Sequence, residues 1–237
     1  MELDQVLERI PRLRKQATHE VVAAVLREAI ANGWLKANAP LPQDEIAAQL
    51  RVSHIPVREA LRQLQSEGLV TYQPNRGATV SALSAAEIRE LYEIRSILET
   101  AAIRQAVPRL DAGHLAQAAT ILDAAEQAED GAAWGSHDVD FHRLVYALED
   151  RPRLRELIDG LLRRVDRYWL SHGLMLKHRE RFQREHRALL AALEARDAEQ
   201  AALVLSAHLA GASELLVSEL GALESQDDTA SSTAATA

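Results

Sequence analysis

The sequence predicts a mainly α-helical protein in two parts, an N-terminal winged helix-turn-helix and a C-terminal all-α helical bundle. Three observations predict it. At 237 residues the chain exceeds one domain of about 100–200 residues, so two domains are expected. Aromatic residues make up only 4% while Ala and Leu dominate, which favours helices over sheets. The hydrophobic period is helical except around residues 69–80, where it switches to two.

Residues 1–16 are polar and of mixed charge and read as an N-terminal arm. Residues 17–83 hold the winged helix. Val21, Val22, Val25, Leu26 and Ile30 recur at helical spacing up to a stop near Gly33. A second helix starts near Pro42, suited to a first turn, and turns Ile46, Ala47 and Leu50 inward. A third follows Ser53, a good N-cap, and stops at Gly68. Leu69–Tyr72 and Ala78–Val80 then read as strands around the turn Gln73-Pro74-Asn75-Arg76-Gly77. From Ser84, capping-boxed with Glu87, helices are expected near 84–107, 112–128, 136–149, 151–172, 178–195 and 197–220. Pro108, the Gly131–Gly135 stretch, Gly173 and Arg196-Asp197 mark the breaks. Residues 84–220 thus form the helical domain, and the low-complexity residues 221–237 are expected to be disordered.

Composition excludes several classes. There is no cysteine, so disulfides and thiolate metal sites are out and a reducing cytoplasm is the expected location. The N-terminal segment lacks the apolar run of a secretory signal, and no stretch of about 18 apolar residues predicts a membrane span. The formal charge of -8 is uneven. Residues 1–83 carry 10 basic and 9 acidic residues, and the acidity resides in the remainder. Phosphate attraction is set by charges within about 10 Å at 0.1 M salt, so the acidic body does not preclude a basic reading head.

On a helical wheel of residues 53–66, Val57, Ala60, Leu61 and Leu64 share one side, whereas Ile55, Arg58, Arg62 and Ser66 share the other. A recognition helix needs this division: arginine can fork onto guanine and Ile55 can touch a thymine methyl. Ser53 and the helix N-terminus suit a phosphate. Asn75, Arg76 and Gly77 put a basic tip on the hairpin, in or beside the minor groove. The same arginines would also suit an ordinary solvated face; the hairpin with its basic tip favours double-stranded DNA as the partner.

The segment SHIPVREALRQLQSEGLVTYQPNRGATV strongly resembles the winged helix of the GntR family of regulators, through its PVREAL, EGLV and PNRGA elements. The resemblance implies DNA contacts from Ser53, His54, Arg58 and Arg76. Three departures stand out: His54 replaces a usual Arg, Arg51 a usual Gly, and Asp44 an Arg that many members carry. They imply a different operator preference, and pH-sensitive binding through His54.

In the helical half, Asp138 and His142 lie four apart on one helix face. His186 shares an inward face with Leu189 and Leu190, and His208 lies on a face with Val204, Leu205, Gly211 and Ala212. His137 and Asp140 flank the motif but point elsewhere on the wheel. Singly, each histidine reads more readily as a hydrogen-bonded core residue. Together they match metal sites built between facing helices. Arg95 shares a face with Leu91, Leu98 and Ala102; it could anchor a carboxylate effector through two hydrogen bonds, or pair internally with Glu99.

EIRELYEIRSILETAA, DVDFHRLVYAL and EHRALLAALEARDAEQA resemble the FCD ligand-binding domain found in the FadR-type branch of the same family. The resemblance implies a divalent metal on Asp138, His142, His186 and His208, a small carboxylate effector, a homodimer on a palindromic operator, and a repressor whose DNA binding the effector modulates. Nitrogen and oxygen donors without sulfur suit Zn, Ni, Mn or Fe. Two alternatives compete: a metal-dependent hydrolase, which the sequence disfavours for want of a placed base such as H-E-x-x-H, and a DNA-binding protein whose helical domain only dimerises.

Overall fold

The computed structural model describes Leu3 and residues 18–73, 77–146 and 150–234. The expected arm, apart from Leu3, and the hairpin-tip residues Asn75 and Arg76 lie outside the described residues. The chain forms two compact units: residues 1–82 with 162–174, and residues 83–161 with 175–237.

The first unit contains α1 (Thr18–Ala31), α2 (Gln43–Leu50), α3 (His54–Ser66), β1 (Val70–Gln73) and β2 (Gly77–Val80). The expected apolar positions meet in one core: Val22, Val25, Leu26 and Ile30 from α1, Ile46, Ala47 and Leu50 from α2, and Val57, Ala60, Leu61 and Leu64 from α3. Each large aliphatic side chain so buried contributes about 1.5–3 kcal/mol. The strands pair antiparallel from Val70↔Val80 to Gln73↔Gly77, and Pro40 bridges Thr79. Two local readings need adjusting. Pro42 is the N-cap of α2 rather than a first-turn residue, and Ser53 caps α3 by position but without a side-chain hydrogen bond.

Residues 162–174, expected within the helical domain, fold with the first unit. Two arginines explain this. The buried Arg167 donates from a terminal nitrogen to Ser81 Oγ at 3.2 Å, and Ser81 in turn donates to the Gly68 carbonyl at 2.7 Å. Gly68, at φ +75°, lies so close to the Arg164 guanidinium that a Cβ there would come within 2.8 Å of its Nε.

The second unit is helical: α4 (Ala85–Ala106), α5 (Ala112–Glu126), α6 (Gly131–Tyr146), the start of α7 (Pro152–Ser171), most of α8 (Leu174–Lys177), α9 (Arg179–Glu194) and α10 (Ala198–Ala234). Ser84 and Glu87 form the expected capping box on α4. Helix α6 starts at Gly131, five residues before the expected 136, so Gly135 is helical. Asp130 accepts from the Ala133 amide at 2.7 Å, and the buried Trp134 anchors this first turn. Helix α10 continues to Ala234, through the tail expected to be disordered. Beyond Gly221 that tail contains no proline or glycine, and its Ala, Glu and Gln extend a helix already nucleated.

Residues 198–222 are long and apolar enough, by composition, to cross a membrane. Their packing gives them another place. Ala201, Leu205, Leu209, Ala212 and Leu216 are buried, α10 runs antiparallel along α4, and Arg104–Glu199 (2.9 Å) and Arg89–Glu214 (2.8 Å) link the two helices. It is a core helix.

Candidate DNA-reading face and metal centre

Helix α3 divides as its wheel requires. Val57, Ala60, Leu61 and Leu64 are fully buried, while Ser53, His54, Ile55, Arg58 and Arg62 are exposed. Ile55 is 59% exposed on the same face as Arg58 and Arg62. Gly77 takes φ +70° at the start of β2, the left-handed conformation that favours glycine. The departures His54 and Asp44 meet across α2 and α3, Nδ1 to Oδ1 at 3.2 Å. Arg51 ends α2 at φ +54°, which explains why glycine suits that position.

The second unit gathers its four singled-out ligands. Asp138 and His142 come from α6, His186 from α9 and His208 from α10. All three histidines are buried, and a ring nitrogen from each lies within 4.8 Å of the others. Asp138 Oδ1 stands 3.3 Å from His186 Nε2 and 3.8 Å from His142 Nε2. Donors about 2.0–2.2 Å from one ion lie roughly 3–4 Å apart, and both Asp138 distances fall in that range. His186 Nε2 supplies a sharper sign. It is buried and makes no hydrogen bond, and such an orphaned nitrogen is costly unless something binds it. Burial, above all, holds His142 and His186 well below the usual histidine range. They are therefore neutral imidazoles with a lone pair to give.

A second ring of residues, which the sequence reading missed as part of the centre, holds the ligands. His142 Nδ1 lies 2.9 Å from the Tyr146 hydroxyl, which donates to Glu99. Glu99 is fully buried and accepts from Arg95 Nε at 2.8 Å. Arg95 Nε thus makes the internal pair with Glu99, and its guanidinium lies over Tyr92. His208 Nδ1 lies 2.7 Å from Glu185 Oε2, and Glu185 accepts from Arg181 at 2.8 Å. Burial raises the Glu185 carboxyl, but the hydrogen bonds from His208 and Arg181 outweigh it and leave it lowered. Tyr146 was findable, since it lies one turn after His142. Glu185 was not: it precedes His186 on α9 and reaches a histidine 23 residues away.

Residues 18–80 match the gntR family of bacterial regulatory proteins, and residues 90–211 match the FCD domain. The chain belongs to the GntR family, FCD type. This GntR regulator is 27% identical over 202 residues to the HTH-type transcriptional repressor RspR of Escherichia coli K12, covering 84% of this chain and 89% of that one. It is 29% identical to the gluconate operon transcriptional repressor of Bacillus subtilis, covering 83% of each. A crystal structure of a GntR-type regulator from Rhodococcus sp. RHA1 superposes with a TM-score of 0.73 at 28% identity, over 84% of this chain and 97% of that one. Escherichia coli McbR/YncC gives 0.69 at 27% identity, over 86% and 99%. The family and the two named repressors are transcriptional regulators, so the hydrolase alternative falls. The GntR regulator binds DNA and is not an enzyme.

Proposed function

We propose that this regulator is a cytoplasmic repressor whose operator binding responds to a small carboxylate bound at a divalent metal in the FCD domain. The observation that carries the reading is the buried His186 Nε2, without a hydrogen bond, beside Asp138 and between His142 and His208. These four residues would hold Zn, Ni, Mn or Fe through nitrogen and oxygen alone. The ion would act as a Lewis acid toward a carboxylate. Four protein donors leave positions open on a six-coordinate ion, and the site's charge supports an anion there. Glu99 is offset by Arg95 and Glu185 by Arg181, so a divalent ion facing Asp138 leaves positive charge in a buried place. The relative named for a gluconate operon fits a carboxylate as the effector class.

At the DNA, Ser53, His54, Arg58 and Arg62 would enter the major groove, with Asn75, Arg76 and Gly77 at the wing. A single winged helix reads few base pairs, so a homodimer on a palindrome is the economical arrangement. Ile97 on α4 and Leu203 on α10, each 63% exposed, are candidate apolar contacts for it. The test is to select operators from random DNA, then titrate carboxylates into the complex using metal-loaded and metal-stripped protein. The expected result is a palindrome, and release by a carboxylate only when metal is present. Release that ignores the metal, or no carboxylate response at all, contradicts the reading.

A further inference from the structure

We infer that Tyr146 with Glu99, and Glu185 with Arg181, are positioning residues that fix the tautomers of His142 and His208, so that both present a bare Nε2 to the metal centre. The inference rests on the metal reading for its purpose, but its geometry stands without an ion. A tyrosine hydroxyl has one hydrogen. Glu99, paired with Arg95, can only accept, so Tyr146 spends its hydrogen there and its oxygen must accept from His142 Nδ1–H. Glu185, in contact with Arg181, likewise only accepts, so His208 carries its proton on Nδ1. A neutral imidazole with Nδ1–H has its lone pair on Nε2.

The arrangement solves a specific problem. Asp138 Oδ1 lies 3.8 Å from His142 Nε2 and would draw a proton onto that nitrogen, blocking it as a ligand. The far side competes by distance: the Tyr146 oxygen, polarised by its donation to Glu99, lies only 2.9 Å from Nδ1 and holds the proton there.

The experiment is nitrogen NMR of the histidine rings in metal-free protein, for wild type, Tyr146→Phe and Glu185→Ala, alongside zinc and cobalt affinity by chelator competition. Wild type should show Nδ1–H on both histidines. In Tyr146→Phe the His142 proton should move toward Nε2, and in Glu185→Ala His208 should lose its fixed form. Each variant should keep the wild-type circular dichroism and lose about 10–100-fold in metal affinity. Wild-type tautomers with protons on Nε2 overturn the inference, as do unchanged tautomers in both variants. If wild type shows the Nδ1–H forms yet takes up no metal, the metal reading fails and the positioning stands.

Discussion

A left-handed backbone angle at Arg51 costs an L-residue roughly 1–2 kcal/mol, and the residue sits there with φ +54°. Arg51→Gly should relieve the strain and return part of the gain as unfolded-chain entropy. The expected outcome is stabilisation by about 0.5–1 kcal/mol, read from the urea midpoint at constant slope; destabilisation would show that the Arg51 side chain matters more than its backbone. The exposed Arg58 belongs to the same scale. Arg58→Ala should weaken operator binding by roughly 1–3 kcal/mol and relax preference at one base pair. Equal affinity of mutant and wild type for the selected operator would remove α3 from the groove. Residues of this kind were legible in the sequence because wheel position alone separates Arg58 and Arg62 from Val57 and Leu61. Arg95 was not so legible, because its face is shared by two acceptable partners and only the fold chooses Glu99.

Within the first unit, α1 is fastened to the end of α3 by Arg27, whose Nε and terminal nitrogen donate to Glu67 at 2.8 and 2.6 Å. Burial raises the Glu67 carboxyl, but the hydrogen bond and charge of Arg27 more than offset this, leaving it below the usual glutamate range. The folded form therefore holds the ionised carboxylate more strongly than the unfolded chain does. The pair's stabilisation is complete above the ordinary glutamate pKa and is lost as pH falls through the lower folded value. Wild type minus Arg27→Ala should show this acid-side loss in melting temperature, and a flat difference from neutral pH to below 4 would contradict it. Most element boundaries were legible from caps and periodicity, as the Ser84–Glu87 box shows. The start of α6 was not, because Gly131 and Gly135 read as breakers. Asp130 and the burial of Trp134 outweigh the roughly 1 kcal/mol that a helical glycine costs. That residues 162–174 pack with the first unit was not legible, because no local pattern reveals that Arg167 reaches Ser81, 86 positions earlier.

Across the whole molecule, the proposed ion joins α6, α9 and α10. Anything that binds only the folded form stabilises it, by about 4 kcal/mol at a thousandfold excess over the dissociation constant. Chelation should lower the melting temperature, transition metal should restore it, and a carboxylate completing the coordination should raise it further. His186→Ala should abolish this response while the winged helix stays folded. The effector would alter DNA affinity only through different affinities for two arrangements of the reading heads, and those affinities are linked reciprocally. All of this depends on one quantity, the metal content of protein purified without a histidine tag. The account predicts close to one transition-metal ion per chain in wild type and nearly none in His186→Ala. A ratio near zero in wild type, unchanged after incubation with zinc, would contradict it and leave Asp138, His142, His186 and His208 as a hydrogen-bonded core.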